Sequence, residues 1–167
     1  MEVDWRGFEL HPETPRGGMP LAELFGASRV AGMRRYMEGF ARGFGLEGMR
    51  QPDRLPNTRW ALALCELARD RGKLDDFRRL AMEAHWRRGL NLEDGLDLAL
   101  LASEAGLPTG AADESMADPQ YLARIDATRA ESHRMGVTGI PTFFIGGERV
   151  VGCVPYEDLA SAVRRAS

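Results

Sequence analysis

Gly136-Val-Thr-Gly-Ile-Pro-Thr-Phe-Phe-Ile-Gly-Gly-Glu-Arg-Val-Val-Gly-Cys153 is the stretch whose reading decides the fold. Thr142 to Ile145 is β-branched and aromatic, and Arg149 to Val151 resumes that pattern after Gly146-Gly147. Two adjacent glycines supply the positive φ angles of a tight turn, so the segment predicts a β-hairpin. Pro155 suits a first helical turn, and Tyr156, Leu159, Ala160 and Val163 then fall on one helical face. The C-terminal unit therefore reads strand, strand, helix. Pro141 stands where the first strand begins, a position at which its missing N–H costs little.

Working outward, the chain of 167 residues with 44% hydrophobic content is long enough for one domain, or one domain with an insertion. Its charge is balanced, 22 basic against 25 acidic residues, with no basic block to track a phosphate backbone. Nucleic acid is therefore not an expected partner. No apolar run approaches the roughly 20 residues that span a bilayer, and Met1-Glu-Val-Asp-Trp-Arg has no signal-peptide character. These features predict no membrane association and a cytoplasmic location. Cys65 and Cys153 stand far apart, and His11, His85 and His133 are scattered, so no metal site is expected.

Val3 to Leu10 alternates with a period of two and predicts a strand closed by His11-Pro12. Val30, Met33, Met37, Phe40 and Phe44 recur at helical spacing after Ser28, which predicts an amphipathic helix burying that face. Asn57 is the expected cap of a helix to about Arg71 that buries Trp60, Leu64, Leu67 and Ala68. A further helix runs from about Leu74 to Arg88, and another from Leu96 to Ala105 behind Asp94. Thr109 to Ser115 reads as a polar link. Asp118-Pro119 then opens a helix to about Met135.

Gly139-Ile-Pro-Thr-Phe-Phe144 resembles the segment of thioredoxin-fold proteins in which a cis-proline precedes a central strand. Trp5-Arg-Gly-Phe-Glu-Leu-His-Pro-Glu-Thr-Pro15 with Gly17-Gly18, and Asn57-Thr58, resemble the DsbA-like family. The likeness is to the branch of FrnE-type oxidoreductases and 2-hydroxychromene-2-carboxylate isomerases. That resemblance implies an α/β fold: a thioredoxin-like core over residues 1–25 and 112–167, split by a helical insertion over 26–111. It also implies that Gly139, Ile140 and Pro141 hold a peptide or thiol substrate, or glutathione as the one cofactor in view. Relative to that family the chain reads as starting at the second strand. The first strand and helix, with the Cys-x-x-Cys nucleophile, are then missing, and the open sheet position is where a homodimer could form.

The implied function is thiol-disulfide oxidoreductase. A non-catalytic binding or assembly module and a glutathione-dependent isomerase or transferase stand as alternatives. No residue receives a certain catalytic role. Cys153 is a candidate thiol, beside a reading in which it fills an alanine-like packing site, and Cys65 reads as helix packing.

Overall fold

The computed structural model describes residues 2–166. The elements in chain order are β1 (Met19–Pro20), α1 (Leu21–Phe25), α2 (Ala27–Gly43), β2 (Arg54–Leu55), α3 (Arg59–Asp70) and α4 (Leu74–Glu83). A π-helical turn (Ala84–Arg88) follows, then α5 (Gly95–Glu104), α6 (Ala111–Ala117), α7 (Pro119–Arg134), β3 (Thr142–Ile145), β4 (Glu148–Val151) and α8 (Tyr156–Ala166). Two separate two-stranded antiparallel sheets form, β1 with β2 and β3 with β4.

The core gathers on α3, where Ala61, Ala63, Leu64, Leu67 and Ala68 are all buried. Its small residues let α4, α6 and α7 approach, and Phe77, Leu98, Leu101, Tyr121 and Ile125 fill the spaces between them. The expected caps at Asp94 and Asp118 form, whereas Ser28, expected to cap α2, lies inside that helix, which starts behind Gly26. The Asp94 carboxylate accepts from the Leu96 and Asp97 amides, and Asp118 accepts from Gln120 with Pro119 at the first helical position. The Asn57 side chain accepts from the Arg59 amide at 3.1 Å.

Three expectations are corrected. Val3 to Leu10 forms no strand: no neighbouring strand pairs with it, and alternation alone cannot supply backbone partners. Residues 109–115 are more than a link, because Ala111–Ala117 is helical and buries Ala111, Ala112 and Ser115. In α2 only Val30 and Ala41 are buried, while Phe40 and Phe44 are exposed rather than packed inward.

Side chains hold the N-terminal segment where backbone ladders do not. Glu9, only 4% exposed, receives the Arg59 guanidinium at 3.0 Å and lies 3.6 Å from that of Arg129. Arg59 also grips both carboxylate oxygens of Asp126 on α7, at 2.9 and 2.8 Å, and holds that carboxyl below the usual aspartate range. Arg69 donates to Asp4 at 2.7 Å and to the Trp5 carbonyl. A Cβ at Gly7 would stand 2.7 Å from Leu62 Cδ2, so that side chain would have to turn aside for any larger residue.

Replacing Arg59 by Met would strand the buried Glu9 carboxylate with only the longer Arg129 contact. Breaking a buried pair costs about 3 to 5 kcal/mol, and with Arg59 30% exposed the expected loss is about 2 kcal/mol. Urea unfolding of the Arg59→Met variant checks this; a loss below about 0.5 kcal/mol would show the tie to be unimportant.

Candidate functional site

Helix α7 ends at Gly136, whose φ of +71° carries the chain out of the helix. The Val137 amide donates to Ser132 O at 2.9 Å and the Gly136 amide to His133 O at 3.0 Å, which closes the last turn. Arg149, on the far strand of the hairpin, donates to Gly136 O at 2.7 Å and Met135 O at 3.3 Å. The helix end is thereby tied to β4. Between that tie and β3 lies Val137 to Pro141, with a cis peptide bond joining Ile140 to Pro141.

Two hydrogen bonds hold this loop. Thr142 Oγ1 donates to Gly139 O at 2.6 Å, and the Gly152 amide donates to Pro141 O at 2.7 Å. Ile140 stands between them, 48% exposed. Its backbone N–H and carbonyl make no hydrogen bond to any described residue. The arrangement is a loop fixed at both sides that leaves one backbone donor and one backbone acceptor unfilled at Ile140.

Gly139, Ile140 and Pro141 thus lie together, and the Gly152 to Pro141 bond brings the residue next to Cys153 against them. Cys153 is exposed, between Val151 and Val154, which line a groove of about 410 Å³ along β4 and α8. Cys65 is far different: burial in α3 pushes its thiol up to about 12. Sequence reading missed Thr142, Gly152 and Arg149 as the residues that fix the loop. A hydroxyl residue two positions after Ile140 was the available signal, since Thr readily bonds to nearby backbone.

The hairpin turn forms with Gly146 and Gly147 at φ of +55° and +87°. Gly146 is also fixed by packing, because a Cβ there would meet the Cβ of Ala166 in α8 at 2.3 Å. Trp5 joins the hairpin to the helices: its ring lies 6.5 Å from Phe143 in edge contact, and the Arg78 guanidinium sits 4.0 Å over it.

A second cavity of about 220 Å³ lies away from this loop, lined by Gly17, Gly18, Asp53, Arg54, His85 and Glu93 among others. His85 Nδ1 is buried there without a hydrogen-bond partner, and burial lowers the imidazole from its ordinary value of 6.5. Among the described residues no group of three or more His, Cys, Asp or Glu is arranged to hold a metal ion. No described helix is long and apolar enough to cross a membrane.

Comparison with known proteins bears on this geometry. The model of a family described as DSBA-like thioredoxin domain matches residues 1–164. Among solved structures, the chain is similar to one titled "probable DsbA oxidoreductase" from Streptomyces coelicolor. The identity is 25% and the TM-score 0.84, over 96% of this chain and 73% of that one. No curated protein matches the chain.

Two outcomes follow. A disulfide reagent added to the folded protein should release one equivalent of thiol rapidly, lost in Cys153→Ala, while the second appears only on denaturation. Two rapid equivalents would contradict the packing of Cys65 against the helical core. For His85, the unfolded chain binds a proton near 6.5 and the folded chain resists it. Its contribution to stability is whole above that pH and is lost as pH falls below it. Urea midpoints between about pH 7.5 and 5.5 should fall, and His85→Gln should flatten that slope.

Proposed function

Because the chain belongs to the DSBA-like thioredoxin domain family, we propose that it binds thiol or disulfide peptides along Gly139, Ile140 and Pro141. The finer assignment in this reading is the FrnE-like branch of thiol-disulfide oxidoreductases. One observation carries it: the Ile140 backbone offers an N–H and a carbonyl with no described partner, on a loop fixed at both sides. An extended peptide can add to such a site as a strand does to a sheet edge. Two backbone hydrogen bonds contribute roughly 1 kcal/mol each, which alone falls short of the about 4 kcal/mol of millimolar binding, so the expected affinity is weak, on the order of millimolar or above.

Exchange at this site would proceed by attack of a thiolate on one sulfur of a disulfide. The new S–S bond forms a mixed disulfide and the other sulfur leaves as thiolate. The sequence has no Cys-x-x-Cys, and its thiols are Cys65 and Cys153 alone. With Cys65 half-buried and its thiol pushed up to about 12, Cys153, which is exposed, is the more available thiol of this chain for that step. A role in binding without turnover is the second reading, favoured by the same absence of a Cys-x-x-Cys pair.

Titration of the isotopically labelled chain with an extended disulfide-bearing peptide tests both. The expected result is saturable shifts at Ile140 and Gly152, weakened about tenfold by N-methylation of the peptide's pairing residue. An adduct of chain plus one peptide arm, lost in Cys153→Ala, supports exchange, and shifts without adduct support the binding module. Glutathione shifting the same residues where the peptide does not would favour the isomerase or transferase class. No shift at residues 139–141 with either probe would overturn the proposal.

A further inference from the structure

Helix α2 packs against α1 and leaves most of its surface open; of its 17 residues only Val30 and Ala41 are buried. Two features of the open side have no explanation within one copy of the chain. The first is an aromatic stripe. Tyr36, Phe40 and Phe44 follow one another at four-residue intervals, with ring centroids 6.0 and 5.2 Å apart, and all three are exposed. The second is a line of glycines beside it, Gly32 and Gly39 inside the helix and Gly43 as its last residue, at intervals of seven and four residues. Glycine weakens a helix more than any residue but proline. Here none is imposed by packing or backbone: a Cβ would meet nothing within 4 Å at Gly32 and Gly43, and only the tip of Arg42 at Gly39. None of the three has a positive φ.

On the other side of the glycine line from the stripe lie Arg35 and Arg42, neither of which has an ion pair or hydrogen bond among the described residues. The face is therefore ordered as guanidinium, glycine line, aromatic stripe. In a parallel pair of such helices related by a two-fold axis, opposite flanks meet across the seam. Each copy's Arg35 and Arg42 then lie over the other's Tyr36 and Phe40. In an antiparallel pair like flanks meet, and arginine would oppose arginine. Among the described residues a guanidinium already lies over an aromatic ring at Arg16 on Trp60, Arg78 on Trp5 and Arg124 on Tyr121.

We propose that α2 is a homodimer interface, pairing in parallel with α2 of a second copy through close packing at Gly32, Gly39 and Gly43. The surface is isologous, as a two-fold axis requires, and distinct from the Ile140 loop. Charge separates this occupant from others: an acidic helix of another protein would satisfy the arginines but gives the glycine line no particular register.

Sedimentation velocity of the full chain measures the mass directly. The expected result is a dimer that forms on concentrating to about 100 µM and weakens about tenfold or more in Gly39→Leu. Gly39→Ala, which favours the helix and adds only a methyl, should weaken it less, so misfolding cannot account for the effect. In a Cys153→Ser background, Gly43→Cys should cross-link to itself on oxidation, since only the parallel pair brings the two positions together. A monomer at 100 µM, a dimer indifferent to Gly39→Leu, or a Gly43→Cys variant that stays uncross-linked would each overturn the proposal.

Discussion

Burial of α3 is the constraint on which the rest of this structure depends. Ala61, Leu64, Leu67 and Ala68 are all buried, and α4, α6 and α7 all pack on the helix that carries them, which acts as the post against which they are set. Small residues allow those helices to come close, and each methylene lost at Leu64 or Leu67 would open space that no flexible surface group can refill. The same helix carries its polar ties outward. Arg59 at its start and Arg69 near its end reach the N-terminal segment, and that segment in turn lays Trp5 against the hairpin. The loop at Ile140 is held locally by Thr142, Gly152 and Arg149, but its position relative to the helices descends from α3.

This division explains how the site can be both firm and open. Hydrogen bonds to Gly139 O and Pro141 O fix the loop from its own hairpin, which leaves the outward face of Ile140 uncommitted. A buried loop could not be left so, because unpaired backbone groups out of contact with water are costly. Exposure of Ile140 is the condition that makes an unfilled donor and acceptor tolerable.

Legibility in the sequence tracked how local each cause was. The hairpin, the Asp94 and Asp118 caps and the helix starts were readable because a few neighbouring residues determine them. Residues Gly139 to Pro141 were singled out through their resemblance to thioredoxin-fold proteins, not through any periodicity. What failed depended on distant partners. Val3 to Leu10 had the alternation of a strand but no neighbour to pair with. Ala111 to Ala117 looked like a link because alanine, serine and acidic residues carry little pattern, although their small size is what allows α6 to reach α3. In α2 the periodicity correctly marked an apolar face and could not say what, if anything, covers it. For Cys153, exposed against buried was a question of tertiary placement that the flanking residues did not answer.

The Trp5 contact carries an optical consequence. Trp5 sits at the seam between hairpin and helices, touching Phe143 on one side and Arg78 on the other, whereas Trp60 and Trp86 belong to the helical body. Indole emission depends on nearby charge and on access of water, so in a chain whose other two tryptophans are phenylalanine this single ring would act as a built-in gauge. Its colour and intensity would report any slippage of the hairpin against the helices, without a label.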